Sequence, residues 1–260
     1  MELIDSHCHL DYDYAPKTEA DLVREAGLAG LSHLITIGTD MASLPKLAAI
    51  SERHANVFHT VGVHPHEAVT FLDGDIEILR VASAHPKCRA IGEIGLDYHY
   101  DHSLPDVQKK VLELQLELAL EVKQPIVIHS REAEPELLES LKRYAARVPA
   151  GAPIGIIHCF TGTQGFGQAC IDLGFYISFS GILTFKNAED LRVCARAFPL
   201  SQILVETDSP YLAPIPFRGK KCEPSMVKFT AQKIAEVKGI PLEEVARVTT
   251  ANAKRFFRIT

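Results

Sequence analysis

The sequence predicts an α/β protein built as a single (β/α)8 barrel, or TIM barrel, over residues 1–260. Strand-like and helix-like segments alternate along the chain, and eight strand-like segments can be counted. Most are apolar at nearly every position, which is typical of strands buried on both faces of a parallel sheet. A length of 260 residues suits one such barrel. An open sheet with additional helices is the structural alternative.

Each predicted strand is an apolar stretch that runs into a polar end. In chain order the strands are residues 3–10, 32–38, 57–65, 89–98, 124–131, 154–162, 175–181 and 203–210. Helical periodicity fills the remaining segments, at residues 18–29, 43–54, 76–84, 104–122, 132–146, 164–173, 188–197, 224–237 and 241–256. Before the fourth helix, Ser103 and Asp106 have the spacing of a capping box.

Composition limits the class of protein. Hydrophobic residues make up 47% and charged residues 23%, as in a soluble globular protein with a sizeable core. The apolar runs are too short to cross a bilayer and no secretory signal follows Met1, so we expect a cytoplasmic protein without membrane contact. The six scattered cysteines form no C-x-x-C pair and are expected to be reduced thiols. No pattern indicates an obligate protein partner.

Net charge gives a further restriction. A formal charge of −6 argues against a broad electrostatic grip on nucleic acid. It leaves open an enzyme that binds nucleic-acid ends locally, because bound metal cations would supply positive charge where it is needed.

Side chains suited to metal binding and proton transfer gather at the polar strand ends. These ends read Asp5-Ser6-His7-Cys8-His9, Gly62-Val63-His64-Pro65-His66, Gly92-Glu93-Ile94-Gly95-Leu96-Asp97, Ile128-His129-Ser130-Arg131, Ile157-His158-Cys159-Phe160 and Glu206-Thr207-Asp208-Ser209-Pro210. In a barrel the carboxyl ends of all strands meet at one face, where barrel enzymes carry their active sites. We therefore expect one shared site.

Alternation along a strand separates candidate ligands from their neighbours. His7 and His9 point the same way, whereas Cys8 between them points the other way. The same argument sets Cys159 apart from His158, so the cysteines are poor ligand candidates. A mixed imidazole and carboxylate site suits Zn, Mn, Co or Ni, with Mg possible where oxygen ligands dominate.

Two carboxylates strengthen this interpretation. Glu93 and Asp208 follow apolar stretches, and a buried unpaired carboxylate costs on the order of several kcal/mol. A metal ion would remove that cost, as would a cationic partner such as Arg131 for Glu93. A His-x-His pair alone is a weak signal, and a single strand-end histidine is more often structural. The joint pattern over several strands carries the prediction.

Other polar groups have simpler interpretations. Five histidines lie away from the polar strand ends and are expected at the surface or in structural roles: His33, His54, His85, His99 and His102. The run Arg218-Gly219-Lys220-Lys221 is either a grip for phosphate or a solvated loop.

At these residues the sequence resembles the TatD family of metal-dependent hydrolases, within the amidohydrolase superfamily. The resemblance covers essentially the whole chain. It rests on the strand-end segments above, on Tyr98, Tyr211 and Leu212 beside them, and on the stretch from Asn252 to Phe257. One departure is visible in Lys221-Cys222-Glu223-Pro224, where the family often carries Arg-Asn-Glu-Pro. Cys222 thus replaces the usual asparagine, which puts substrate preference in doubt.

The resemblance implies a site with two divalent ions, of Zn, Mn, Mg, Ni or Co. One ion would be held by His7, His9 and Asp208. The other would be held by His129 and His158, with Glu93 bridging both. His64 would line the substrate pocket and take part in catalysis together with Glu93 and Asp208.

Phosphodiester hydrolysis is the leading functional hypothesis. Two ions would activate water and clamp the phosphate, with Asp208 orienting or deprotonating the water. The resemblance suggests a DNA 3′ end as substrate. Arg131, Arg218 and Lys220 are candidates for phosphate contact, and His64 for another contact with the substrate. Ester or amide hydrolysis, for example of a D-aminoacyl-tRNA, is the enzymatic alternative. A metal-binding scaffold without catalysis is a third hypothesis.

Overall fold

Eight parallel strands, each hydrogen-bonded to its neighbours in sequence, form the centre of the structure. A computed structural model describes residues 1–100 and 102–259. The strands are β1 (Leu3–Cys8), β2 (Leu31–Thr36), β3 (Val57–Val61), β4 (Cys88–Asp97), β5 (Ile126–Arg131), β6 (Gly155–Ile157), β7 (Tyr176–Phe179) and β8 (Ile203–Val205). An isolated bridge between Cys8 of β1 and Ser209, in the loop after β8, links the two edges of the sheet, so the sheet is a nearly closed barrel. The predicted (β/α)8 fold is confirmed.

Helices return the chain from the end of each strand to the start of the next. Within the described residues they are α1 (Glu19–Leu28), α2 (Leu44–Arg53), α3 (Asp75–Ser83), α4 (Pro105–Val122), α5 (Glu134–Ala145), α6 (Gln164–Asp172), α7 (Glu189–Ala197), α8 (Val227–Lys238) and α9 (Leu242–Phe257). In that part of the chain no helix is both long and apolar enough to cross a membrane.

The prediction placed several strand ends too far along the chain. β3, β6 and β8 end at Val61, Ile157 and Val205, before the polar residues. His9, His158 and Asp208 therefore lie on the short loops that follow the strands, whereas His7, Glu93 and His129 lie within the strands.

The predicted capping box before α4 is wrong. Helix α4 begins at Pro105 after Leu104, and no side chain caps it. The Ser103 hydroxyl instead donates to the His66 carbonyl at 2.8 Å and accepts from the Val69 amide at 3.0 Å. Tertiary contact with the loop after β3 thus outweighs the local pattern.

The interior of the barrel is filled at the end where the strands begin. Side chains from the first residues of the strands, including Ile4, Val127 and Leu204, are buried there in one apolar cluster. Phe256 and Phe257 of α9 belong to the same cluster and are fully buried. The C-terminal helix therefore closes the base of the barrel and leaves the opposite end free for a site.

Asn252 ties α9 to the start of β8. Its side-chain amide donates to the carbonyls of Leu200 and Ile203, both at 2.9 Å, and the residue is buried. Replacing Asn252 by Ala removes both hydrogen bonds, and the Leu200 carbonyl then keeps only the Ile203 amide as a donor, so we expect a loss of about 1–3 kcal/mol in the free energy of unfolding, measured in urea. The exposed neighbour Ala251, changed to Ser, is the control and should shift stability by less than about 0.5 kcal/mol. Equal effects of the two substitutions would refute the proposed tie.

His59 on β3 is buried against helix α2. Its Nδ1 lies 2.9 Å from the Ser51 hydroxyl. Burial, together with the positive charges of His85, Lys87 and Arg89, lowers the pKa of His59 to about 3. The folded protein therefore holds His59 neutral, whereas the unfolded chain protonates it below about pH 6.5.

Stability should consequently fall as the pH drops from about 6.5 towards 3, because the unfolded state binds the extra proton there. Relative to His59→Gln, the wild type should lose up to about 1.4 kcal/mol per pH unit in that window. Urea unfolding at a series of pH values measures the difference. His102→Gln, at an exposed position, should run parallel to the wild type. A His59→Gln curve that also runs parallel would show that His59 does not titrate differently on folding.

Candidate metal centre

The six predicted ligands lie together at the end of the barrel where the strands finish. Groups of side chains able to hold a metal ion occur there, each with its ligand atoms within 4.8 Å of one another. The groups are His7 with Glu93 and His158, His7 with His9 and Asp208, and His64 with Glu93 and His129. They overlap at His7 and Glu93, so they form one connected centre.

The His7, His9 and Asp208 group has the spacing of a coordination shell. Nε2 of His7 lies 3.4 Å from Glu93 Oε2 and 3.6 Å from Asp208 Oδ1, which is itself 3.5 Å from His9 Nε2. Bonds of about 2.0–2.1 Å to a tetrahedral ion would place neighbouring ligand atoms roughly 3.3–3.4 Å apart. Both ring nitrogens of His7 are buried without a hydrogen-bond partner in the described chain. These distances and the unpaired nitrogens fit a bound cation.

Glu93 directs its two oxygens to different partners. Oε2 faces His7, while Oε1 lies 2.6 Å from His158 Nε2, 3.0 Å from His129 Nδ1 and 3.4 Å from His64 Nε2. The side chain is almost fully buried. Arg131, the predicted alternative partner, stacks on Tyr100 instead, with its guanidinium carbon 4.7 Å from the ring centroid. Glu93 therefore occupies the middle of the centre, between two groups of imidazoles.

Charges in the centre balance one another. Burial favours the neutral form of Glu93, but the positive charge of His158 and the hydrogen bonds from His129 and His158 hold the pKa of the carboxyl well below its usual range. The pKa of His158 is raised in spite of burial, because Glu93 and Glu206 stabilise its charged form. A metal ion would replace the protons on the histidines as the positive charge beside Glu93. Metal binding should therefore release protons and weaken as the pH falls.

Two carboxylates behind the centre orient its histidines. Asp97 Oδ2 accepts from His129 Nε2 at 2.8 Å and from His66 Nε2 at 2.9 Å. Glu206 Oε1 lies 3.3 Å from His158 Nδ1 and accepts from the backbone N–H of Cys159 at 2.8 Å. Each carboxylate fixes one ring nitrogen as a donor and leaves the other free to bind a cation. Sequence analysis assigned neither acid a role, although both lie in the strand-end segments.

Glycines bring β4 and β5 close enough for these contacts. Gly95 pairs with His129 and has a φ of 151°, a conformation that a side chain would disfavour. A Cβ atom at this position would collide with the His129 carbonyl oxygen. Gly95, two residues after Glu93, is therefore required for the close approach of the His129 backbone.

A buried contact between β1 and the loop after β8 positions Asp208. The Asp5 carboxylate accepts from the Thr207 amide at 2.9 Å, and the Asp208 amide donates to the His7 carbonyl at 2.9 Å. Asp208 itself has a φ of 56°, which turns its side chain towards the histidines of β1. Asp5 is thus a positioning residue that sequence analysis missed, because an acid on a strand does not reveal its partner.

The predicted substrate residues do not all join the cluster. His64 joins the cluster, and burial lowers its pKa to about 4, so its ring is neutral near pH 7. Arg131 lies at the end of β5 beside Asp97. Arg218 and Lys220 are exposed and lie over Phe185 and Phe217, at 3.8 Å and 5.6 Å from the ring centroids. Phosphate contact by the last three residues stays a prediction.

The cysteines lie outside the cluster of ligand atoms. All six are free thiols. The thiol of Cys8 donates to the Ile35 carbonyl, and Cys159 pairs with the Ser180 hydroxyl. Cys222 is fully buried and its amide donates to the Pro210 carbonyl at 3.0 Å. It therefore supports the loop that carries Asp208 and does not face an open cleft.

Comparisons with known proteins agree with this geometry. The profile of a family described as TatD related DNase matches residues 4–258. The chain belongs to the TatD family. It is 39% identical over 257 residues to the uncharacterized metal-dependent hydrolase YabD of Bacillus subtilis, covering 99% of both chains. The predicted family membership is confirmed, and the protein is a metal-dependent hydrolase.

Solved structures of TatD proteins share the barrel. The crystal structure of YjjV, a TatD homolog from Escherichia coli, superposes with a TM-score of 0.91 at 28% identity and covers 99% of this chain and 98% of its own. A structure described as an uncharacterized amidohydrolase from Saccharomyces cerevisiae has a TM-score of 0.84 at 18% identity and covers 98% and 99%. The second likeness concerns the fold alone.

Asp97 offers a test of the orienting carboxylates in this TatD protein. Asp97→Asn removes the charge that fixes the His129 ring, so we expect metal affinity to fall about 10- to 100-fold. Competition with a metal-binding dye measures the dissociation constant. Asp106→Asn, at an exposed position in α4, is the matched control and should leave it unchanged. An Asp97→Asn protein that folds and binds metal like the wild type would remove this role from Asp97.

Proposed function

We propose that this TatD-family hydrolase is a phosphodiesterase that cleaves DNA near a strand end with two divalent ions. The observation that carries the proposal is the position of Glu93, whose two oxygens face separate groups of imidazoles. One carboxylate between two such groups suits a pair of cations, the arrangement that enzymes use for displacement at phosphorus. The match to a family described as TatD related DNase supports the choice of DNA.

In this proposal the ligands divide as the family resemblance implies. His7, His9 and Asp208 would hold one ion, His129 and His158 would hold the other, and Glu93 would be shared. The donor set contains four imidazoles and two carboxylates, which suits Zn, Mn, Ni or Co better than Mg. When bound, the ions would polarise a phosphoryl oxygen and lower the pKa of water.

The surrounding residues would complete the reaction. Asp208 is ionised, because His9 and His7 lower its pKa against the effect of burial, and it accepts the proton of the attacking water. His64, kept neutral by burial, orients the substrate through hydrogen bonds. Arg131, Arg218 and Lys220 are exposed cations that contact neighbouring phosphates. They would supply positive charge locally in a chain whose net charge is −6.

The proposal predicts a specific pattern of activity. The protein, reloaded with each candidate metal after chelation, should cleave single-stranded DNA and bis(p-nitrophenyl) phosphate, and the chelated protein should not. Asp208→Asn should lower kcat about 100- to 10,000-fold by removing the proton acceptor. Asp190→Asn on the outer helix α7, also exposed, is the control and should keep full activity.

A D-aminoacyl ester in the same assay separates the alternatives. Rapid ester cleavage without phosphodiester cleavage would replace the proposed function by ester or amide hydrolysis. Bound metal without turnover of any of these substrates would favour a non-catalytic scaffold. Elemental analysis of the protein as isolated identifies the ion with which the assays should begin.

A further inference from the structure

Two exposed tyrosines stand beside the metal centre. The chain contains 12 Phe and 7 Tyr, all within residues 1–100 and 102–259, and among the side chains described there only Tyr100 and Tyr211 are exposed aromatic rings, at 43% and 53%. A large ring left in water loses the free energy of burial that the other aromatic residues gain. That both exposed rings lie on loops beside the candidate ligands therefore calls for a functional reason.

Tyr211 adjoins the His7, His9 and Asp208 group. Its backbone N–H donates to the Asp208 carbonyl at 2.9 Å. Its ring centroid lies 6.4 Å from that of His9 and 6.2 Å from that of Tyr12, edge to face in both cases. Tyr12 in turn stacks on His9 at 4.8 Å. The Tyr211 ring is thus held beside a candidate ligand, with half of its surface open.

Tyr100 adjoins the other side of the centre. Its backbone N–H donates to Asp97 Oδ1 at 3.0 Å, and Asp97 holds the ring of His129. The Arg131 guanidinium lies 4.7 Å from the Tyr100 ring centroid. The ring of His66 is 5.4 Å away and nearly perpendicular. These contacts fix the ring while leaving part of it in water.

The strand order places the two tyrosines on opposite sides of the barrel mouth. Tyr211 follows β8 next to β1, whereas Tyr100 follows β4 next to β5. In a ring of eight strands, the pair β8 and β1 lies across the axis from the pair β4 and β5. Glu93 and its histidines lie between them. A phosphodiester bound at the centre would therefore have one tyrosine on each side.

We propose that Tyr100 and Tyr211 are base-stacking subsites, each taking one of the two nucleosides that flank the cleaved phosphodiester. The inference rests on the proposed function. Stacking on aromatic rings holds single-stranded nucleic acid without regard to sequence and needs no large positive surface. This suits a protein with a net charge of −6. It requires unpaired bases at both positions, so the bond cleaved must have a nucleoside on either side.

Tyrosine variants assayed on full and abasic oligonucleotides test the subsites. The probes are a short single-stranded oligonucleotide and versions of it that lack the base on one or the other side of the cleaved bond. Tyr100→Leu and Tyr211→Leu should each lower kcat/KM on the full oligonucleotide about 5- to 150-fold, mainly through KM. Each variant should match the wild type on the one abasic substrate that lacks its partner base. Tyr100→Phe and Tyr211→Phe keep the ring and should restore most of the activity.

Phe58 provides the matched control. Arg89 lies over its ring with the guanidinium carbon 4.7 Å from the centroid, the same distance as between Arg131 and Tyr100. Phe58 is the second residue of β3 and is therefore at the base of the barrel, away from the centre. Phe58→Leu should leave cleavage of all the oligonucleotides unchanged. Equal losses for the tyrosine variants on full and abasic substrates would show a structural role and overturn the stacking proposal.

Binding separates this proposal from the function on which it rests. An oligonucleotide carrying 2-aminopurine loses fluorescence when that base stacks, and the chain has no tryptophan to interfere. The metal-loaded wild type should quench it, and the leucine variants should bind about 5- to 150-fold more weakly. Quenching without cleavage would overturn the phosphodiesterase function and keep the subsites. Cleavage without quenching would overturn the subsites alone.

Discussion

The buried carboxylate of Glu93 is the constraint around which the site is built. An ionised acid inside a barrel is unfavourable unless positive charge or strong hydrogen-bond donors surround it. Here the imidazoles of His129 and His158 bond one oxygen, while His7 faces the other. The same imidazoles, once they lose the protons that they share with the acid, can bind divalent cations. Electrostatic balance and metal binding therefore favour the same residues, and the protein can hold this geometry with protons or with ions.

Two further acids lie behind the candidate ligands and fix the orientation of the histidines. Asp97 and Glu206 each hold the far nitrogen of a histidine, so the near nitrogen points to the centre. Asp97 is in turn fixed by the backbone amides of His99 and Tyr100. The sequence predicts a surface or structural role for His99 and assigns no role to Tyr100. The loop that carries them nevertheless connects the metal centre to the mouth of the barrel. One carboxylate thus fixes both the ring of His129 and the backbone of the loop at Tyr100.

The barrel and the meeting of the ligand residues could be predicted from the sequence because both follow from alternation and strand-end position. The period of the apolar segments gives the order of strands and helices, and a parallel barrel brings all carboxyl ends to one face. Ser103 shows the limit, since a local capping pattern lost to a tertiary bond with His66. Asp5 shows another, because its partner Thr207 lies 202 residues away and no local pattern encodes that pairing.

The join between β1 and the loop after β8 also governs when the centre can form during synthesis. His7 leaves the ribosome early, and Asp208 leaves it only after all eight strands have been made. A nascent chain short of β8 has an open sheet, an Asp5 without its partner Thr207, and a pair of histidines, His7 and His9, without the third member of their group. Such a chain lacks Asp208, and α9 is not yet available to seal the base. The group that contains Asp208 is therefore completed last, when the end of the chain closes the barrel against β1.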